Sequence, residues 1–101
     1  MKYFSIIYPE EELNYAQLVK ELEALARQLE INIRYEKGDF EGGYCIVKDQ
    51  KVLVVNKRLL DSRKAVALAV GISEYGIDPV YIKPNLRAFI EDEVAKLANI
   101  K

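Results

Sequence analysis

Asp61-Ser62-Arg63-Lys64-Ala65-Val66-Ala67-Leu68-Ala69-Val70-Gly71-Ile72 is the stretch whose reading decides the fold. Its apolar residues run all the way round a helical wheel, and a helix of that kind needs cover on most of its sides. Its alanines let neighbours approach closely. The stretch is therefore expected as the central helix, opened by Asp61 or Ser62 as N-cap. Immediately upstream, Tyr44–Lys48 and Lys51–Asn56 are rich in Ile and Val and flank Asp49-Gln50, which predicts a hairpin with a two-residue turn. Asp-Gln does not select a turn type. Before the hairpin, Lys37 to Gly43 holds Gly38, Gly42, Gly43 and Asp39, a looping segment with Phe40 as its large apolar anchor. Ile31, Ile33 and Tyr35 alternate with Asn32, Arg34 and Glu36, so a further strand with one apolar and one wet face precedes the loop.

Further out, Asn14-Tyr15-Ala16-Gln17 reads as a capping box. It opens an amphipathic helix with Leu18, Val19, Leu22, Leu25, Ala26 and Leu29 on one side. Glu23 and Arg27 stand four apart in the favourable order for an ion pair. On the other flank of the central helix, Gly76 offers a stop and Ile77-Asp78-Pro79 breaks the chain. Pro84 suits the first turn of a last helix, which places Leu86, Phe89, Ile90, Val94 and Leu97 on one face. Tyr3 to Tyr8, before Pro9, reads as an additional N-terminal strand. No segment repeats and none has linker composition. The expected fold is a single α+β domain over residues 1–101: an added leading strand, an amphipathic helix, a three-stranded antiparallel sheet, then two helices, with helices on one sheet face.

The 101 residues carry 15 basic and 16 acidic side chains, no His, no Trp and one Cys. A chain this long makes one domain. A charged fraction of 31% with a net charge of -1 is too balanced for a disordered tail or for bulk attraction to polyanions. No apolar run approaches the roughly 20 residues of a membrane-spanning helix, and Met1–Tyr8 is too short and aromatic for a signal peptide. Together with a single Cys, which cannot form an internal disulfide, this predicts a cytoplasmic protein that does not associate with membranes. Abundant Glu and Lys, with no Thr, lean toward a heat-tolerant source.

The missing imidazole shapes the chemistry. General acid–base work near neutral pH most often uses His, and zinc sites take His or several Cys, so Cys45 completes neither set. Cys45 sits in a predicted strand, without the helix N-terminus or base that activates a thiol, and is expected to be a small buried strand residue. Glu10-Glu11-Glu12 lies before a helix, where negative charge is favourable, and Glu91-Asp92-Glu93 spans several helix faces. Asp39 and Glu41 in the glycine loop lack the phosphate loop that a magnesium site leans on, and Gly42-Gly43 serves a turn. The expectation is no catalytic residue, no metal and no cofactor. Charge is uneven along the chain: Lys48, Lys51, Lys57, Arg58, Arg63 and Lys64 outnumber Asp49 and Asp61 over residues 48–64, while residues 9–41 are acidic. This basic group is the candidate interaction surface, for a protein or, less well supported without aromatic stacking residues, for nucleic acid.

Gly42-Gly43-Tyr44-Cys45, Asn56-Lys57-Arg58-Leu59 and Ile82-Lys83-Pro84 resemble a family of small uncharacterised bacterial proteins with a Gly-Gly-x-Cys hairpin, over roughly Leu18 to Ile90. That family implies no activity. The order of helix, three strands and helix is also similar to the minimal core of ImmA/IrrE-type metallopeptidases, whose following helix carries H-E-x-x-H. Here Ala65–Glu74 holds neither His ligand nor the Glu base at that motif, so the resemblance implies architecture without peptidase activity. The leading expectation is a non-enzymatic, cytoplasmic protein-interaction module that engages a partner or a second copy of itself. Its seven tyrosines suit core edges and interfaces, and an open sheet edge suits strand pairing. The alternative is a nucleic-acid-associated regulatory protein using residues 48–64.

Overall fold

Asn14 opens the first helix as its spacing predicts. In a computed structural model that describes residues 14–38, 43–77 and 80–100, its side chain accepts the Gln17 amide at 3.1 Å at the head of α1, Tyr15–Gln28. The second half of the capping box does not form, because the Gln17 side chain turns forward to Glu21. Val19, Leu22, Leu25 and Ala26 are the buried face. The helix ends in a complete Schellman motif: Ile31 donates to the Ala26 carbonyl at 2.8 Å and Glu30 to the Arg27 carbonyl at 3.0 Å. Glu30 occupies the left-handed position with φ 62°, where glycine is the usual residue. The motif turns the chain directly into β1, Asn32–Glu36.

β2, Tyr44–Val47, and β3, Val52–Asn56, form the expected hairpin. Its turn is longer than two residues. A two-residue hairpin turn of the common type needs positive φ at both central positions, which Asp49-Gln50 supplies only at a cost. Instead Lys48–Gln50 makes a 3-10 turn, and Lys51 alone takes the left-handed conformation with φ 52°.

The sheet corrects one expectation: it is mixed, not wholly antiparallel. Its order is β1-β3-β2, with β1 parallel to β3 and β2 antiparallel to it. β3 thus lies between the other two, which accounts for its unbroken apolar run Val52-Leu53-Val54-Val55, whereas outer β1 alternates. Ile33, Leu53 and Ile46 align across the sheet, as do Tyr35, Val55 and Tyr44, and all six belong to or pack against the hydrophobic core. The opposite face carries Asn32, Arg34, Cys45 and Asn56.

α2, Asp61–Ser73, is the central helix. Ala65, Ala67, Leu68, Ala69, Val70, Gly71 and Ile72 are all buried, enclosed by α1, β3, β2 and α3, Pro84–Ile100. The N-cap is Leu60, not Asp61 or Ser62, and no side chain caps the end. Asp61 stands instead in the first turn, where its charge favours the helix dipole. Gly71 lets α2 settle onto β3: a Cβ there would come within 2.5 Å of Leu53 Cδ1. Gly76, at φ +90°, follows the helix as expected. In α3, Leu86 and Ile90 reach the core, while Val94 and Leu97 on the same predicted face are exposed, since the packed body does not extend along the whole helix. The expected strand Tyr3–Tyr8 lies outside the described residues, as do Glu10, Glu11, Glu12, Asp39 and Glu41. Among the described residues, no helix is long and apolar enough to cross a membrane.

Candidate interaction surface

The corner between β3 and α2 is built by Asn56. Its Oδ1 accepts the Arg58 amide at 3.0 Å and its Nδ2 donates to the Gly38 carbonyl at 2.8 Å. The Lys57 amide donates to the Glu36 carbonyl at 3.0 Å, carrying the β1–β3 ladder one step further. With the backbone held in this way, the adjacent leucines part. Leu59 turns inward over Gly43, whose φ of +89° and close approach exclude a side chain: a Cβ there would meet Leu59 Cδ1 at 2.8 Å. Leu60 turns outward and is 75% exposed. Lys57, Arg58 and Arg63 surround it in sequence and are all exposed. The uncapped first turn of α2 adds the partial positive charge of its amides.

Lys64 is half-buried and already engaged, its ammonium 5.3 Å from the centroid of the Tyr35 ring. The Tyr35 hydroxyl donates in turn to the Glu23 carboxylate, so Glu23 does not take the ion pair with Arg27 that the sequence suggests. Burial, the bond to Glu23, and the charges of Glu23 and Asp61 push the Tyr35 hydroxyl well above its ordinary pKa. It stays protonated and able to donate.

Lys48 and Lys51 lie at the opposite end of β3, about 17 Å away for a five-residue strand. Lys48 is exposed on the 3-10 turn. Lys51 sends its Nζ to the Leu29 carbonyl at 2.6 Å, neutralising the negative end of α1 and occupying one of its last carbonyls. Tyr75 braces the same end, its hydroxyl donating to the carbonyls of Val52 at 2.9 Å and Val47 at 3.2 Å. The basic group read from the sequence therefore divides into Lys57, Arg58, Arg63 and Lys64 at one end, and Lys48 and Lys51 at the other.

Cys45 lies in β2 as expected but is exposed, not buried, because it projects from the sheet face opposite the helices. Glu91 pairs with Arg87 and Glu93 with Lys96 along α3. Among the described residues, no group of three acidic or cysteine side chains is placed to hold a metal ion. Sequence reasoning missed Leu60. The signal was the Leu59-Leu60 pair before a helix start, where only one of two neighbours can face the core. No family model, no curated protein and no solved structure matches the chain.

Proposed function

We propose that this chain is a non-enzymatic protein-interaction module of the cytoplasm, whose β3–α2 corner receives an acidic partner segment bearing an apolar residue. The observation that carries the reading is Leu60, 75% exposed and set among Lys57, Arg58 and Arg63 on a backbone fixed by Asn56. An exposed aliphatic side chain with three exposed cations within three residues of it in sequence, and one acid, Asp61, beside it, suits an interface: the apolar contact supplies affinity, and the charges steer and select the partner. The chain as a whole has a net charge of -1, so the attraction is local to the corner. Burial of α2 along Ala65–Ile72 supports reading it as core. The likeness to the ImmA/IrrE-type core then concerns scaffold alone, in a metal-free relative.

Nucleic-acid binding is the second reading, favoured by the same cations beside the α2 amides, which suit phosphate. Leu60 separates the two, because phosphate has no use for an exposed leucine. The test is an amide-shift titration of the labelled chain with a glutamate-rich peptide carrying one central phenylalanine, and separately with a short oligonucleotide at low salt. Peptide-induced shifts confined to residues 57–64 and lost in Leu60→Ser support the protein reading. Unmoved amides with the peptide, and oligonucleotide shifts abolished by Lys57→Glu with Arg58→Glu but kept in Leu60→Ser, overturn it.

A further inference from the structure

Asn32 donates its amide to the Lys51 carbonyl, and the Glu36 carbonyl accepts the Lys57 amide. With the parallel register, the backbone groups of Asn32, Arg34 and Glu36 all face β3. Those of Ile33 and Tyr35 consequently point away from it, and among the described residues no strand pairs with them. A cleft of about 270 Å³ lies beside this edge, with Ile31, Ile33 and Tyr35 as apolar wall and Glu23 and Arg27 contributed by α1. Such an edge accepts a further strand, and the charges on the opposite face of β1 indicate which.

On that face Arg34 and Glu36 stand two residues apart, 62% and 43% exposed, with Arg34 Nη2 at 2.6 Å from Glu36 Oε2. β1 therefore displays one positive and one negative charge in line. A second copy of β1 laid antiparallel along the edge must bring outward-facing backbone groups opposite one another, which limits the registers. Centring the pair on Arg34 sets Arg34 against Arg34, and centring it on Glu36 sets Glu36 against Glu36; both are repulsive. Centring on Ile33 sets Arg34 against Asn32 and gains no ion pair. Centring on Tyr35 sets Arg34 against Glu36 on both sides of the axis, at positions where cross-strand side chains come closest. The two Tyr35 residues then exchange both of their backbone bonds.

We propose that a second copy of this chain pairs its β1 antiparallel with this edge, about a two-fold axis at Tyr35. The two three-stranded sheets join into one, and Arg34 of each copy meets Glu36 of the other, the self-complementary contact that a two-fold dimer requires. The inference does not rest on the β3–α2 corner. Sedimentation of the full chain and two variants tests it. Arg34→Glu leaves acids facing acids across the axis, and Glu36→Arg leaves bases facing bases, so each variant alone should dimerise on the order of tenfold more weakly than the unaltered chain. Mixed in equal amounts, the two variants present only opposite charges to each other, and a one-to-one dimer as tight as the unaltered one should return. That recovery needs both variants folded, so loss of the fold cannot imitate it. Amide exchange gives a second readout: protection at Ile33 and Tyr35 should rise with concentration, with Arg34, bonded toward β3, as the constant reference. An unaltered chain that stays monomeric up to millimolar concentration overturns the proposal. So does a dimer that neither variant weakens, a mixture in which the variants do not pair, or protection at Ile33 and Tyr35 that is independent of concentration.

Discussion

The two ends of β3 carry the same kind of charge and use it differently. At one end, Lys51 closes α1 by binding the Leu29 carbonyl, and Tyr75 ties α2 to the strands through Val47 and Val52. At the other, the Asn56 side chain and the Lys57 amide fix the backbone, and Lys57, Arg58 and Arg63 stay exposed near an outward Leu60 in sequence. The lesson is that a basic residue is available to a partner only where other groups already satisfy the backbone. Where a helix end needs a donor, the nearest lysine serves the fold.

Substitutions can break or sharpen this contrast. The largest effect is expected at Gly71, where α2 presses on Leu53. Ala is the better helix former by about 1 kcal/mol, but overpacking a filled core costs about 1–3 kcal/mol. Leu53 is fully buried, so its side chain can yield only against its neighbours; Gly71→Ala should lower stability in denaturant unfolding, and a rise would contradict the close approach. Next, Lys51→Met keeps the aliphatic stem and removes the bond to Leu29, for an expected loss of about 1–2 kcal/mol. Lys57→Met, at the open end, should stay within about 0.5 kcal/mol of the unaltered chain. Equal losses would erase the distinction between the ends.

Smaller effects follow at Glu30 and Tyr35. Glu30→Gly relieves a left-handed residue in the Schellman motif and should stabilise the chain by about 0.5–1 kcal/mol, visible as a higher Tm. Tyr35 keeps its proton in the folded state to higher pH than in the unfolded chain. Above the ordinary tyrosine pKa the unfolded state therefore binds fewer protons, and stability falls as pH rises. Alkaline unfolding of Tyr35→Phe should show a shallower decline than the unaltered chain, and identical slopes would remove Tyr35 from the account.

Much of this was legible in the residues. The Asn14 cap, the all-round apolar α2, the β2–β3 hairpin, Gly76 and Pro84 each declare themselves by local chemistry, and they appear where expected. What was not legible depended on distant partners. The parallel pairing of β1 with β3 depends on which strand lies between the others, and its only trace was the unbroken run Val52–Val55 beside the alternation of Ile31–Glu36. Cys45 falls on the open face because the helices take the other one. Glu30 in the left-handed region has no signal in residue type. Glu23 binds Tyr35, twelve residues away, in preference to its helical neighbour Arg27. At the candidate surface, composition placed the cations in sequence but could not separate Lys51, whose side chain holds α1, from Lys57, whose side chain is exposed.

The most direct test of the central claim is the affinity of the phenylalanine-bearing acidic peptide for Lys51→Met and for the double variant Lys57→Met with Arg58→Met, measured by titration calorimetry below the unfolding temperature. The account predicts an unchanged affinity in the first and a loss on the order of tenfold in the second, from removal of two steering charges. Equal affinities in the two variants, or a greater loss in Lys51→Met, would contradict it.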